Sequence, residues 1–238
     1  MDNSQMRPYN VDICLCIDCT ESMDNILNIV KARALGFYYD LQKNMNIKSK
    51  RIDKLRVRLV AFRDYMAYEH EKELGVHINE PMMITDFFTL PDDNSKLEIC
   101  VNSLQPVGGG DDPEDGLEAL AYAICSDWQT GSAKSRNIIV LWTDSQPHRL
   151  GYGISSTRYP KDMASNFTEL TKLWGDEYER GCFDVNSSKR LVLYAPAGGA
   201  WEEISNTWDN VLFVPSVAGN GLREVDYNMI LDCIINSI

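Results

Sequence analysis

Three acidic stretches of this chain set carboxylates beside hydroxyls or glycines at spacings that could gather them around one ion. Asp18-Cys19-Thr20-Glu21-Ser22 carries a carboxylate and two hydroxyls at alternate positions, so all three can point the same way in an extended turn. Asp144 ends the apolar run Val140-Leu141-Trp142-Thr143-Asp144, and Gly108-Gly109-Gly110-Asp111-Asp112-Pro113-Glu114-Asp115 is a glycine-rich loop closing on acidic residues. Hard oxygen donors with no imidazole or thiolate among them suit Mg2+, Mn2+ or Ca2+ better than zinc or copper. A plainer reading stands beside this one. Ser22 and Asp112 are ordinary helix N-caps, Pro113 is an ordinary first helical residue, and Glu114 and Asp115 in a first turn complement the helix dipole. Asp18 and Asp144 fit it less well, because a carboxylate at the end of a buried strand requires partners or a cation.

The elements that must hold these loops follow from hydrophobic periodicity. Apolar runs at residues 11–17, 55–62, 137–142, 191–194 and 211–214 read as strands, with a shorter one at 82–90 bordered by Pro81 and Pro91. Met23, Ile26, Leu27, Val30, Ala34, Tyr38, Leu41 and Met45 recur at three- and four-residue steps, predicting one long amphipathic helix after the first strand. Pro113 opens a helix with Leu117, Leu120, Ala121, Ile124 and Trp128 on one face, and Met163, Phe167, Leu170, Trp174 and Tyr178 stripe another. A short helix is expected at 201–207. The last runs from Leu222 to about Ile235, with Val225, Met229, Ile230, Cys233 and Ile234 inward. Strands buried on both faces and alternating with helices imply an α/β fold, doubly wound, with a mostly parallel central sheet of about six strands and helices on both faces. In such sheets ligands bind at the carboxyl ends of the strands, where the strand order reverses.

The 238 residues are 44% hydrophobic and 24% charged, which suits one globular domain over 1–238 with a short polar segment at 1–10. Net charge −12 repels a nucleic-acid backbone or an anionic membrane and favours cationic partners or metal ions. No apolar run approaches the ~18 residues of a membrane span, and residues 1–10 contain no apolar leader, so a soluble chain is expected. The seven cysteines, at 14, 16, 19, 100, 125, 182 and 233, sit mostly inside apolar segments rather than at a disulfide-like spacing. A reducing, cytoplasmic compartment is the expectation. Cys14 and Cys16 share a strand face, and no CxxC pair or nearby His completes a zinc set with Cys19, so they read as buried small hydrophobes.

The arrangement resembles the von Willebrand factor type A (vWA) domain, a Rossmann-like fold with a metal-ion-dependent adhesion site. Asp18-Cys19-Thr20-Glu21-Ser22 is similar to the family's D-x-[ST]-x-S signature after its first strand, and Asp144 is similar to the family's later strand-ending aspartate. Pro113-Glu114-Asp115-Gly116, counted back from Ala119-Leu120, looks like the integrin β-subunit variant, in which Glu stands where many members have a metal-binding Thr. The resemblance covers essentially the whole chain in order. It implies Thr20 and Ser22 as hydroxyl ligands, Asp18 and Asp144 as ligands directly or through water, and Glu114 as a direct ligand, of Mg2+ or of Mn2+ or Ca2+. The last position on the ion would go to water or to a partner protein's Asp or Glu. The implied role is a noncatalytic interaction module, and single-domain relatives act beside chaperone-like ATPases, kinases or components of bacterial stress and defence systems. Glu114 in place of Thr adds negative charge, which tightens the cation and weakens its pull on an outside carboxylate.

Further residues cluster near the same edge. Asp111 and Asp112 are candidates for a second ion, with Asp112 read rather as an N-cap. Asp64, in Arg63-Asp64-Tyr65 after the second strand, is a candidate behind the ligands, with an ion pair at the strand end as the plainer expectation. His148, four residues past Asp144, could touch a partner, though a solvent-exposed loop histidine is the plainer expectation. Tyr152, Arg158 and Tyr159, among the glycines of residues 145–160, combine anchors with hinges and form with His148 a candidate partner-binding rim. The alternative function is a metal-dependent hydrolase, such as a phosphatase of the haloacid dehalogenase type. Such enzymes need a second carboxylate two residues after the first, where this chain has Thr20. A phosphate-loop reading of Gly108-Gly109-Gly110 fails because no Lys-Ser/Thr follows and the adjoining acids repel phosphate.

Overall fold

The computed structural model describes residues 8–76, 79–108, 113–130, 134–185 and 188–238. Gly109, Gly110, Asp111 and Asp112 lie outside the described residues, and with them the second-ion reading. The β-branched and leucine-rich runs form the expected parallel strands: β1 (Tyr9–Asp18), β2 (Ile52–Phe62), β5 (Ser135–Trp142), β6 (Lys189–Pro196) and β7 (Val211–Ser216). Two short strands, β3 (Met82–Ile84) and β4 (Phe88–Leu90), pair antiparallel with β2. The sheet runs β3-β2-β1-β5-β6-β7, with β4 also on β2, so the order reverses beside β1, between β2 and β5.

Eight α-helices flank the sheet among the described residues: α1 (Asp24–Arg33), α2 (Phe37–Ile47), α3 (Tyr65–Leu74), α4 (Asn94–Ser103), α5 (Gly116–Ile124), α6 (Phe167–Trp174), α7 (Gly199–Thr207) and α8 (Tyr227–Ser237). Side chains alternate along β1, and each set meets its own layer of helices. Val11, Ile13, Leu15 and Ile17 join Ile26 and Leu27 of α1, Leu41 of α2, Leu97 of α4 and Ile234 of α8. On the opposite face Cys14 and Cys16 join Leu120 of α5, Trp174 of α6 and Trp201 of α7. Cys14, Cys16 and Cys19 are buried free thiols in these cores, as small apolar residues are.

Several element boundaries differ from expectation, each for a local reason. The long first helix breaks at residues 34–36 into α1 and α2, where Gly36 is a poor interior residue. The strand at 82–90 splits because the Thr85 hydroxyl accepts from the Leu59 N–H at 3.0 Å and donates to the Asp86 carbonyl, interrupting the ladder. The helix expected from Pro113 starts at Gly116, since the backbone of Glu114 is spent on a bridge with Pro147. Trp128 lies past its end. α6 stops at Trp174, where Gly175 takes φ +73°, which leaves Tyr178 outside the helix and 85% exposed. α8 begins at Tyr227, capped by the Asp226 carboxylate accepting from Met229 N–H at 2.9 Å, and Met229 faces outward.

A second correction concerns the cysteines. Cys125, at the end of α5, is disulfide-bonded to Cys182 across 57 residues, a pairing that their positions in apolar segments concealed. Among the described residues no helix is long and apolar enough to cross a membrane.

Gly116 begins α5 where a Cβ would come within 2.8 Å of Cζ2 of the fully buried Trp201. Gly116→Ala is therefore expected to lower stability by about 1–3 kcal/mol, read as a fall in the urea midpoint, although alanine favours a helix more than glycine does. Alkylation of the denatured, unreduced protein should label five thiols. Reduction should cost about 2–4 kcal/mol in the same urea titration.

Candidate metal centre

β1 lies between β2 and β5, and parallel register sets Asp18 opposite Phe62 and Ile17 opposite Trp142. Asp18 therefore ends β1 one residue short of the level at which Asp144 leaves β5, and both carboxylates reach the place where the strand order reverses. The turn after β1 is built by Asp18 itself. Its Oδ1 accepts from the Thr20 N–H at 2.9 Å and from the Thr20 hydroxyl at 2.6 Å, an Asx turn leading into a 3₁₀ turn at Glu21–Met23. Ser22 Oγ donates to Asp144 Oδ1 at 2.8 Å and lies 3.4 Å from Thr20 Oγ1. One chain of oxygens thus runs Asp18, Thr20, Ser22, Asp144, linking residues 126 positions apart in sequence at its two ends.

Two residues outside the sequence expectations complete the support. Thr143 donates from Oγ1 to Asp18 Oδ2 at 2.7 Å, and Gly221 donates its N–H to Asp144 Oδ2 at 2.7 Å. Thr143 was signalled only by its place before Asp144. Gly221 belongs to the turn Gly219-Asn220-Gly221, far along the chain. There φ is +61° and a Cβ would lie 2.1 Å from the Ser22 carbonyl oxygen, so only glycine lets the two loops meet. The start of the glycine-rich loop closes in from another side, with Glu21 N–H donating to Gly108 and Val107 N–H donating to Cys19.

Asp18 is fully buried, Asp144 1% and Thr20 3% exposed, while Ser22 is open to solvent. Burial, opposed by the hydrogen bonds from Thr20 and Thr143 and reinforced by the charge of Asp144, pushes the Asp18 carboxyl up to about 6. Two close carboxylates shielded from water, with hydroxyl oxygens between them, are a donor set that a hard dication fits. Among the described residues no three His, Cys, Asp or Glu side chains converge into a metal cluster, so the hydroxyls are indispensable to this set. Over Ser22 opens a polar cleft of about 390 Å³, whose lining includes Asp24, Asn28, Asn220 and Arg223.

Glu114 is 3% exposed and is held through its backbone: its N–H donates to Gln146 at 3.1 Å, and its carbonyl accepts from His148 N–H at 2.8 Å. The oxygen chain does not run through it. Asp115, read from sequence as complementing a helix dipole, is instead fully buried, and so is Glu118. Burial and the neighbouring Glu118 charge push Asp115 up to about 8, and burial raises Glu118 as well. Nothing in the sequence marked them, since charges in the first turn of a helix are ordinary.

The chain matches no family model and no curated protein. Among solved structures it is similar to the PilB minor pilin from Streptococcus sanguinis, with TM-score 0.52 and 14% identity, covering 98% of this chain and 63% of that one. It is also similar to the pilus adhesin SpaC from Lactobacillus rhamnosus GG, with TM-score 0.49 and 12% identity over 98% of this chain and 31% of that one. A third is the vWF domain of the type V pili tip protein Mfa5 from Porphyromonas gingivalis, with TM-score 0.35 and 23% identity over 58% of this chain and 38% of that one. The likeness is one of fold. The α/β architecture is consistent with a Rossmann-like vWA fold, and the chain spans less than two thirds of the length of each of these neighbours.

The remaining expected residues are placed as follows. Arg63 forms no ion pair with Asp64; it donates to the carbonyls of Gln105, Val107 and Glu80, fixing the segment before the glycine-rich loop. Asp64 caps α3, accepting from Met66 and Ala67 N–H groups. His148 is 7% exposed and bonded to Asp64, which overturns the expectation of a solvent-exposed loop histidine: the carboxylate draws the ring inward. Tyr159 also turns inward, donating its hydroxyl to Glu118 at 2.9 Å, whereas Tyr152 is 47% exposed and Arg158 reaches Glu80 on the surface.

A pH dependence follows for the metal-free protein. The folded values of Asp18, about 6, and Asp115, about 8, lie above the ordinary 3.8, so the folded state binds protons that the unfolded state has released. Stability in chelator is expected to fall as pH rises from about 4 to 8, Asp18 alone contributing about 3 kcal/mol across its window. Urea midpoints at pH 5 and pH 7.5 check the sign.

Proposed function

We propose that the chain is a noncatalytic protein-interaction module that binds a divalent cation, Mg2+ first and Mn2+ or Ca2+ in its place, at the carboxyl edge of β1 and β5. The observation that carries this reading is the oxygen chain from Asp18 through Thr20 and Ser22 to Asp144. Asp18, Asp144 and Glu114 would supply carboxylate oxygens and Thr20 and Ser22 hydroxyls. The cation would offset the cost of burying two like charges together. The exposed Ser22 and the cleft above it mark the side from which a partner's Asp or Glu would reach the ion, and Arg223 in that cleft would favour an acidic group. Tyr152 and Arg158 stand on the outer surface of the loop after β5 and would form the rim.

The hydrolase alternative lacks the second carboxylate it needs, because Thr20 at that place donates its hydroxyl to Asp18. The fold neighbours bear the names of pilus adhesins and a minor pilin, and a role in adhesion or protein contact agrees with the module proposed here. A stress or defence system was expected from the resemblance, and a cytoplasmic setting from the cysteine pattern. The Cys125–Cys182 bond favours an oxidising one, and thiol counting on protein taken directly from its source decides between them.

Saturation with Mg2+ at about 100 times its dissociation constant should stabilise the folded state by about 2.7 kcal/mol and raise the thermal midpoint by several degrees. Asp18→Asn should abolish that response while leaving the chelated protein as stable as the wild type or more so at pH 7, since the buried charge is gone. A midpoint indifferent to Mg2+, Mn2+ and Ca2+ in the wild type overturns the reading.

A further inference from the structure

The loop carrying Glu114 is the middle ply of three. On one side its backbone meets the loop after β5, through the Glu114 N–H to Gln146 and the His148 N–H to Glu114. On the other side Asp115 N–H donates to the Arg63 carbonyl at 3.1 Å, and Tyr65 N–H donates to Asp115 Oδ2 at 2.6 Å, joining it to the loop after β2. A buried side-chain hydrogen bond connects the two outer plies directly: His148 Nε2 donates to Asp64 Oδ2 at 2.9 Å, both side chains under a tenth exposed.

Asp64 divides its oxygens between two tasks. Oδ1 takes the Met66 and Ala67 N–H groups and caps α3, so Oδ2 is not needed for the cap and serves His148. The other side of the imidazole is stacked on Tyr152, with ring centroids 3.8 Å apart and an interplanar angle of 11°. The ring can therefore neither rotate nor withdraw without breaking one of these contacts, and its own backbone N–H is the donor that holds the Glu114 carbonyl. Burial pushes the Asp64 carboxyl up, but the hydrogen bonds from His148, Ala67 and Met66 outweigh it and hold it below the usual value, so it remains an ionised acceptor.

We propose that Asp64 and His148 form a clasp across the loop of residues 113–115, making them positioning residues that set Glu114 toward the cation. The inference rests on the metal reading above. Partners behind a ligand commonly change metal affinity by 10- to 100-fold when removed, because they fix the ligand's direction and the shape of its loop. The clasp also brings the exposed Tyr152 ring into contact with this machinery, so a protein docking there would press on the residue that holds Glu114.

Mn2+ titration followed by electron paramagnetic resonance tests this on the full chain, in the wild type, His148→Ala, His148→Gln, Glu114→Gln and the double variant His148→Ala/Glu114→Gln. His148→Ala is expected to weaken Mn2+ binding by about 10- to 100-fold, and His148→Gln, whose amide can still donate to Asp64, to recover most of the loss. In the Glu114→Gln background the same alanine change should cost less than about threefold, since the ligand it positions is gone. An equal loss in both backgrounds, or no recovery with Gln, means a general loosening of the fold and overturns the clasp. So does a wild-type affinity unchanged by His148→Ala, with the metal reading left standing. A wild type that binds no Mn2+ overturns both.

Discussion

Two buried carboxylates at the ends of adjacent parallel strands set the terms for this molecule. Asp18 and Asp144 are placed by the sheet, not by each other: parallel register between β1 and β5 brings them within one residue of the same level, and the reversal of strand order on either side of β1 opens the space between them. Their like charges, shielded from water, repel, and the surrounding loops respond with donors. Thr20 and Thr143 serve Asp18, while Ser22 and Gly221 serve Asp144, so that three separate segments converge to satisfy two side chains. The donors reduce the cost but do not cancel it, as the raised Asp18 value shows. Such a site is poised for positive charge. The hydroxyls can turn their lone pairs to an ion as readily as they now turn their protons to the carboxylates.

The same logic extends one layer back. Asp115 and Glu118 lie at the start of α5, one before it and one in its first turn, fully buried, with one oxygen of each left without a partner among the described residues. Placing two more acids beneath an acidic edge costs stability, and the loop after β5 absorbs part of that cost. Gly151 N–H and the Tyr159 hydroxyl both donate to Glu118 Oε1, tying residues 151 and 159 to the helix. The loop read as a mixture of anchors and hinges is therefore fastened at its inner turns, and what it presents outward is Tyr152, Ile154 and Arg158. In the proposed module, fastening of this kind would hold the rim in shape before a partner arrives.

How much of this was legible in the sequence depends on the distance over which each signal acts. The strands were visible because burial on both faces leaves continuous apolar runs, and Asp18, Thr20 and Ser22 were visible because their spacing lies within five residues. The break at Gly36 and the end of α6 at Gly175 are local as well, yet a periodic stripe carried the eye past both. Contacts between distant segments left no local mark. Gly221 meets Ser22 across 199 positions, His148 meets Asp64 across 84, and Cys125 meets Cys182 across 57, and each partner alone looks like an ordinary loop or core residue. The start of α5 shows the limit most clearly. Pro113 is a good first helical residue, but helix formation there competes with the bridge between Glu114 and Pro147, whose two backbone hydrogen bonds use the Glu114 N–H and carbonyl.

Charge is also sorted along the sheet. At the amino ends of the strands lie Lys50, Lys134 and Arg136, gathered around the Tyr9 ring at 4.9–5.8 Å, and Arg190 follows on β6. Buried charges at that end are neutralised in place: Asp12 by a two-point bond from Arg56, and the buried Lys189 by Asp209. At the carboxyl ends the pattern is reversed, for Asp18, Asp144, Asp115 and Glu118 gather with no Lys or Arg side chain among their hydrogen-bond partners in the described residues. Buried acids are therefore gathered at the carboxyl edge of a chain whose net charge is −12. In the reading proposed above, buried, low-dielectric walls would strengthen the field of these carboxylates, drawing a small dication to that edge and turning a polyanion away from it. A partner's single carboxylate meets the same repulsion unless a cation is already in place. Occupancy of the ion site would thus gate association as well as complete the coordination.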